Sequence, residues 1–231
     1  MEPIINTEYQ QIDVSWDEKL LKRRAAPQTV RILNEEFNEY MRQYNKTIQM
    51  NIENSDWLYD RIPDNLEGKL DYKDLTWDYM LAAYNRFGMI AAVSEKVKNI
   101  LEELNVSNEE YTLKPIKIKD YDLTYYLMFV PFISDEEILL NNSDVRFKKK
   151  PDRKLPVETL EQVHEYDKQI DTFVFYKTMT LPKKFQARDI IYVPRATIRP
   201  HFSKRLIDAF EKNKVKGWEF FNYFESKLKF I

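Results

Sequence analysis

Few side chains in this chain are equipped for chemistry, and those few cluster poorly. His164 and His201 are the two imidazoles. His201 lies in the run Arg195 to Phe202, which also holds Arg199. Two guanidinium groups and an imidazole just ahead of a helix start are the parts of an anion site, because first-turn amides and the helix dipole favour a phosphate there. Arg195, Arg199 and His201 are thus the candidate ligand set of a small hydrolase or an anionic-ligand-binding protein. His164 sits in the segment Glu161 to Asp167. On a helix, Glu161 and His164 share a face. No second histidine stands nearby and H-E-x-x-H is missing, so this is read as a solvated helix surface, and no metal site is expected.

The composition removes further chemistries. There is no cysteine, hence no disulfide, thiolate nucleophile or cysteine-bound zinc. Only Gly68, Gly88 and Gly217 are glycines. A phosphate-cradling loop or dinucleotide fingerprint needs more of them, so no cofactor is expected. Ser94 and Ser203 lie in no G-x-S-x-G elbow. Acidic pairs such as Glu102-Glu103 and Glu109-Glu110 are what 38 acidic residues produce by chance. The expectation is a protein without catalysis of its own.

Two stretches of the chain are built alike. Met89 to Val93 runs into Ser94 and then Glu95 to Glu102; Ile198 to Phe202 runs into Ser203 and then Lys204 to Glu211. In both, apolar residues fall three, six and seven positions after the serine. Each serine reads as a helix N-cap, with the apolar offsets forming one stripe. Gly217 reads as the C-cap that ends the second helix.

Elsewhere the apolar spacing predicts a helix from Gln28 to Tyr44, a strand from Thr47 to Glu53, a loop from Asn54 to Asp74 and a helix from Leu75 to Phe87. A hairpin is expected from Leu113 to Lys119 and Leu123 to Phe132. Ser134 to Leu155 is a mixed polar stretch whose basic run, Arg146 to Lys154, reads as a solvated loop. A helix is expected from Val157 to Tyr166, and strands from Thr172 to Thr178, Ile190 to Val193 and Trp218 to Phe224. Strands and helices are partly segregated, which predicts an α+β fold with a mixed or largely antiparallel sheet and flanking helices. No linker demands a boundary, so residues 1–231 read as one domain with room for a small helical region at 1–53.

Charge is uneven: residues 1–110 carry 13 Lys/Arg against 21 Asp/Glu, and residues 111–231 carry 23 against 17. Asp135, Glu136 and Glu137 form an acidic loop suited to a basic protein partner. Trp16, Trp57 and Trp77 stand beside acids, a pattern that fits an interface anchor and a core margin equally. The longest apolar run, Tyr125 to Ile133, is too short to span a bilayer. With no signal-like amino terminus, a cytoplasmic location is expected.

The segment from Ile198-Arg-Pro-His-Phe-Ser203 through Leu206, Phe210 and Lys216-Gly-Trp-Glu-Phe220 resembles the carboxy-terminal signature of immunity protein family eleven. Ala92-Val-Ser94-Glu-Lys-Val97, its helix and the Leu113 to Phe132 strand pair resemble that family's upstream part, so the likeness covers residues 75–224. The resemblance implies a protein that protects bacteria by binding a cognate toxin, encoded by an adjacent gene, and occluding it. It implies neither a nucleic-acid nor a membrane partner and brings no catalytic residues.

Overall fold

The computed structural model describes residues 8–17, 19, 21–22, 24, 26–39, 63–82, 89–119, 121–147, 150–168, 174–194, 196–197, 199–222 and 226–231. In chain order the first strands are β1 (Tyr9–Val14), β2 (Thr29–Ile32), β3 (Leu66–Leu70), β4 (Tyr79–Ala82) and β5 (Met89–Ser94). Helix α1 (Glu95–Glu103) and strands β6 (Thr112–Ile118) and β7 (Leu123–Phe129) follow. Then come β8 (Asp144–Phe147), β9 (Lys150–Lys154), α2 (Leu160–Lys168), β10 (Val174–Leu181) and β11 (Ile190–Ile191). The chain closes with β12 (His201–Ser203), α3 (Lys204–Lys212), β13 (Trp218–Phe220) and β14 (Lys227–Phe230). The fold is α+β, with antiparallel pairs dominant and parallel pairs at β2–β4, β3–β6 and β10–β14.

The chain divides into two compact units assembled from non-contiguous segments. The first, Asp13–Phe132 with Leu206–Glu219, holds a closed barrel in the order β2-β3-β6-β7-β5-β4. Closure leaves none of the six strands with a free edge. Strand β7 shows how the sequence does this: Tyr125, Leu127 and Phe129 alternate into a core shared with Ile116, Ile118, Val30, Ile32 and Leu66. Helix α1 packs on β5 and β7 and buries Val97, Ile100 and Leu101. Gly68 is what lets Ile116 fill the barrel, since a Cβ there would stand 2.7 Å from the Ile116 Cδ1.

The second unit, Met1–Ile12 with Ile133–Arg205 and Phe220–Ile231, has a different plan. A four-stranded sheet runs β14-β10-β8-β9. One face carries Val145, Tyr176, Met179 and Leu181 into a core with Val163 of α2, Phe185 and Val193. Phe147 meets Tyr166 edge-on at 5.3 Å between ring centres, joining this face to α2. Strands β11 and β12 and the start of β1 form a further sheet in this unit, with β12 antiparallel to both β11 and β1.

The hairpin at β6–β7 forms in full register from Thr112↔Phe129 to Ile118↔Leu123. Strands β10, β11 and β13 and helix α2 fall within or close to their expected spans. Three expectations are corrected. Residues 29–32, expected in a helix, form β2, because Thr29, Val30 and Ile32 are β-branched and buried while Arg31 faces out; residues 35–39 are helical, and 40–44 lie outside the described residues. Residues 79–82 of the expected second helix form β4, which the barrel needs between β2 and β5. Two stretches expected to lack strands, 54–74 and the Arg146–Lys154 run, contain β3 and the β8–β9 hairpin. The strand at 47–53, Trp57 and Gly88 lie outside the described residues.

Gly217 has φ +97°, and a Cβ there would fall 2.2 Å from the Tyr79 carbonyl oxygen and 2.8 Å from the Trp77 ring. Neither the backbone angle nor the close approach tolerates a side chain. Gly217→Ala should therefore lower the unfolding free energy by about 3 kcal/mol or more, measured by urea denaturation; a loss below about 1 kcal/mol would contradict this packing.

Candidate functional site

Both serine-to-helix stretches are organised around an aspartate just ahead of the neighbouring strand. In the barrel unit, Ser94 is the cross-strand neighbour of Asp78, one step beyond the Tyr79↔Val93 pair. The Ser94 amide donates to the Asp78 carbonyl at 2.8 Å, and its hydroxyl donates to Asp78 Oδ1 at 2.9 Å. Lys96 Nζ and the Lys216 amide both donate to Asp78 Oδ2 at 2.9 Å. Tyr125, opposite Ser94 on β7, has its phenol pushed up to about 12, by burial first and by the Asp78 charge second.

The second copy has the same parts. Ser203 faces Asp189 one step beyond the Ile190↔Phe202 pair, and its amide donates to the Asp189 carbonyl at 2.7 Å. The Ser203 hydroxyl donates to Asp189 Oδ1, and Arg205 grips both carboxylate oxygens, with Nε at 2.7 Å from Oδ1. The cation stands two residues after the serine in each copy, and the residue eleven after it takes positive φ: Asn105 and Lys214, both 51°. One residue on, Val106 bonds back to Leu101 and Val215 to Phe210.

These bonds revise the expected caps. Ser94 occupies the N-cap position with extended backbone, but its hydroxyl makes no bond to a first-turn amide and serves Asp78 instead. At the far end of α3 the left-handed residue is Lys214, three positions before Gly217, which sits instead against the Tyr79 backbone. Asp78 and Asp189 were not singled out in the sequence. The available signal was an aspartate just ahead of each first strand, together with Ser-x-Lys and Ser-x-Arg.

His201 has no exposed surface. Its Nε2 lies 2.7 Å from the Ser226 carbonyl, which can only accept, so Nε2 carries the proton. Nδ1 is buried with no hydrogen-bond partner among the described residues. Gln11 completes the node, donating from Nε2 to the Arg199 carbonyl at 3.0 Å and accepting the Ser226 amide at 3.1 Å. The Arg199 guanidinium lies 5.8 Å from the centre of the Phe221 ring. Arg195 lies outside the described residues. His201 thus faces the protein interior, and its ring ties β12 to the carboxy-terminal segment.

Asp135, Glu136 and Glu137 form a 3-10 turn capped by Ser134, whose hydroxyl accepts the Glu136 amide at 3.2 Å. Asp135 Oδ2 lies 2.9 Å from His164 Nε2 on α2, and Glu137 Oε1 lies 2.7 Å from Lys184 Nζ. Glu136 is the exposed member of the three. Among the described residues, no group of three or more His, Asp or Glu is placed to hold a metal ion. No helix among them is long and apolar enough to cross a membrane. No protein-family model matches the chain, and no curated protein matches it.

The Asp189 carboxylate is almost fully buried and its Arg205 partner a quarter exposed. Removing one member of such a pair leaves a charge stranded. Asp189→Ala should cost about 3–5 kcal/mol. Asp78→Ala should cost less, about 2 kcal/mol, because Lys96 reaches water. Equal losses in denaturant titrations would refute this ordering.

Burial holds His201 down at about 4, against an ordinary 6.5, although its bond to Ser226 pulls the other way. Between these values the unfolded chain binds the proton and the folded chain does not. The contribution to stability is complete above pH 6.5 and is lost as pH falls through 4, amounting to about 3 kcal/mol. Unfolding free energies measured from pH 7.5 to 4 should fall accordingly. His201→Gln should flatten that slope, and parallel curves for the two proteins would count against His201 as its source.

Proposed function

We propose that this chain is an immunity protein that binds a cognate bacterial toxin and neutralises it by occlusion, without catalysis. The observation that supports binding best is Trp16, whose residue surface is 54% exposed. Its backbone is pinned: the Trp16 amide and the Ser15 hydroxyl both donate to Glu219 Oε2, at 2.9 and 3.0 Å. The Asp17 amide donates to the Ser15 hydroxyl at 3.1 Å, and Asp17 Oδ1 accepts the Lys19 amide at 2.7 Å. An exposed indole on a pre-set turn loses little freedom on docking and is the residue type that dominates interface energetics. The likeness of residues 75–224 to immunity protein family eleven supplies the kind of partner. The acidic 3-10 turn supplies charge that would speed capture of a basic toxin.

The hydrolase or anion-binding alternative gains no support from the geometry, since the His201 ring is sealed inside and bonded to backbone.

Expression of the toxin-like product of the adjacent gene should arrest growth, and this protein should restore it through a complex that co-purifies. Trp16→Ala should weaken that complex by about 30-fold, equivalent to roughly 2 kcal/mol, with no change in unfolding midpoint. Glu136→Lys, which leaves the Asp135–His164 and Glu137–Lys184 contacts intact, should slow association severalfold at low salt. Arrest unrelieved by abundant folded protein, with no complex formed, would sink the proposal.

A further inference from the structure

The sheet β14-β10-β8-β9 has one face turned into its core, and the residues of the other face follow from its register. Leu228 and Phe230 pair with Met179 and Leu181 and belong to the core side, so Lys227 and Lys229, paired with Thr178 and Thr180, stand on the opposite side. Val145 pairs with Tyr176 inside; Arg146 pairs with Phe175 and Lys154 outside. Lys177 lies at the bulge between Tyr176 and Thr178, close enough to Asp144 to help hold its carboxyl below the usual range, behind Arg146 and alongside Lys154. This outer face therefore gathers Arg146, Lys154, Lys177, Lys227 and Lys229 around Phe175, with Asp144 and Asp152 near Arg146 and with Thr180 buried against Asn142 at one end.

The cations of this face differ in their bonding. Arg146 is matched to Asp144 through both carboxylate oxygens. Lys154, Lys177, Lys227 and Lys229 are exposed, and none of their ammonium groups has a hydrogen bond or ion pair among the described residues. Elsewhere Lys22, Arg24, Arg31, Lys96, Lys98, Lys114, Lys184 and Arg205 each lie against a carboxylate, while Lys69, Lys117 and Lys119 are exposed without an ion pair among the described residues; what distinguishes this face is that it gathers its lysines on one side of one sheet. Four unmatched lysines span about 14 Å across the four strands and repel one another, so an anionic occupant would relieve them.

We infer that this face binds single-stranded nucleic acid. Lysine is depleted where proteins meet proteins, which weighs against an acidic protein surface. Lysines flanking an aromatic residue on an open sheet are how single strands are held: phosphates lie against the cations and a base stacks on the ring. Phe175, half-buried on the central strand β10 and beside Arg146, is the stacking platform. The binding is carried by charge and stacking, which tolerate any base sequence. This inference stands apart from the toxin-binding reading and survives or fails without it.

The test is fluorescence anisotropy of the full chain with a labelled twenty-nucleotide oligothymidine between 50 and 200 mM salt. Four phosphate contacts predict a log–log salt slope near −3 and an affinity loss of roughly 50-fold over that range. The combined Lys177→Glu, Lys227→Glu and Lys229→Glu variant should bind at least tenfold more weakly with a slope near −1. Phe175→Leu should bind about tenfold more weakly with the slope unchanged. Lys69→Glu, an exposed lysine on β3, serves as the control and should behave as the parent chain. Absence of binding at 50 mM salt overturns the inference, as does a triple-lysine variant with the parental slope. Displacement of the oligonucleotide by polyglutamate at matched charge overturns it too, assigning the face to an acidic protein surface.

Discussion

An aspartate carboxylate at the open end of a hairpin is the constraint on which both serine-to-helix stretches depend. Asp78 and Asp189 each join three things that would otherwise drift: the strand that they lead into, the serine across the ladder, and the first turn of the next helix. Helix electrostatics make the arrangement necessary. A cation in a first turn opposes the positive end of the helix dipole, yet Lys96 and Arg205 stand there in α1 and α3. The aspartate reverses the sign of the problem by placing a full negative charge beside the helix start. It also takes up the serine hydroxyl that would otherwise serve as a cap. In α3, whose first turn contains no acid, Asp189 supplies the negative charge at that end.

The same construction is used twice, down to individual backbone bonds. Positive φ at the eleventh residue after the serine, and the bond from the twelfth back to the seventh, occur in both copies. The strand orders correspond as well. In β4-β5-β7-β6 and β11-β12-β1-β13, the strand before the helix and the first strand after it are separated by one intervening strand. In the first case that strand is β7, from later in the chain. In the second it is β1, from its beginning. One packing solution has thus been closed by strands drawn from opposite directions in sequence.

That difference explains what the sequence disclosed and what it withheld. The stripes of α1 and α3 were legible because each is set by residues three to seven apart, and Val97, Leu101, Leu206 and Phe210 are all buried as their spacing implies. The β6–β7 hairpin was legible because its turn is local. The pairing of β1 with β12 joins residues about 190 positions apart, and nothing in Tyr9–Val14 names its partner. The barrel misled by the same route. Thr29 to Ile32 and Tyr79 to Ala82 lie in stretches whose apolar spacing also fits a helix, and only the need to pair β2 with β4 decides for strands. At the candidate site, the histidine, serines and arginines were visible as types, but their fates depended on Asp78, Asp189, Gln11 and Ser226, which approach from elsewhere in the chain.

The polar residues that looked most chemical are consumed in holding the fold, and this moves the question of function to charge at the surface. The uneven charge of the two sequence halves does not by itself locate a partner, because charges matched within the fold exert little field at a distance. Grouping separates the cases. The barrel strands and their loops mix cations set against acids, as Arg31 is on Asp71 and Lys114 on Asp64, with scattered exposed lysines such as Lys69 and Lys117. The β14-β10-β8-β9 sheet gathers Lys154, Lys177, Lys227 and Lys229 on one face, where Asp144 is committed to Arg146 and Asp152 also lies near that guanidinium. Lysine on the exposed edge strands β9 and β14 also guards against edge-to-edge pairing, and that role accounts for Lys227, Lys229 and Lys154. It does not account for Lys177, which lies on the interior strand β10 and has no edge to protect. The position of that one residue is why edge protection alone is an insufficient explanation for the basic face.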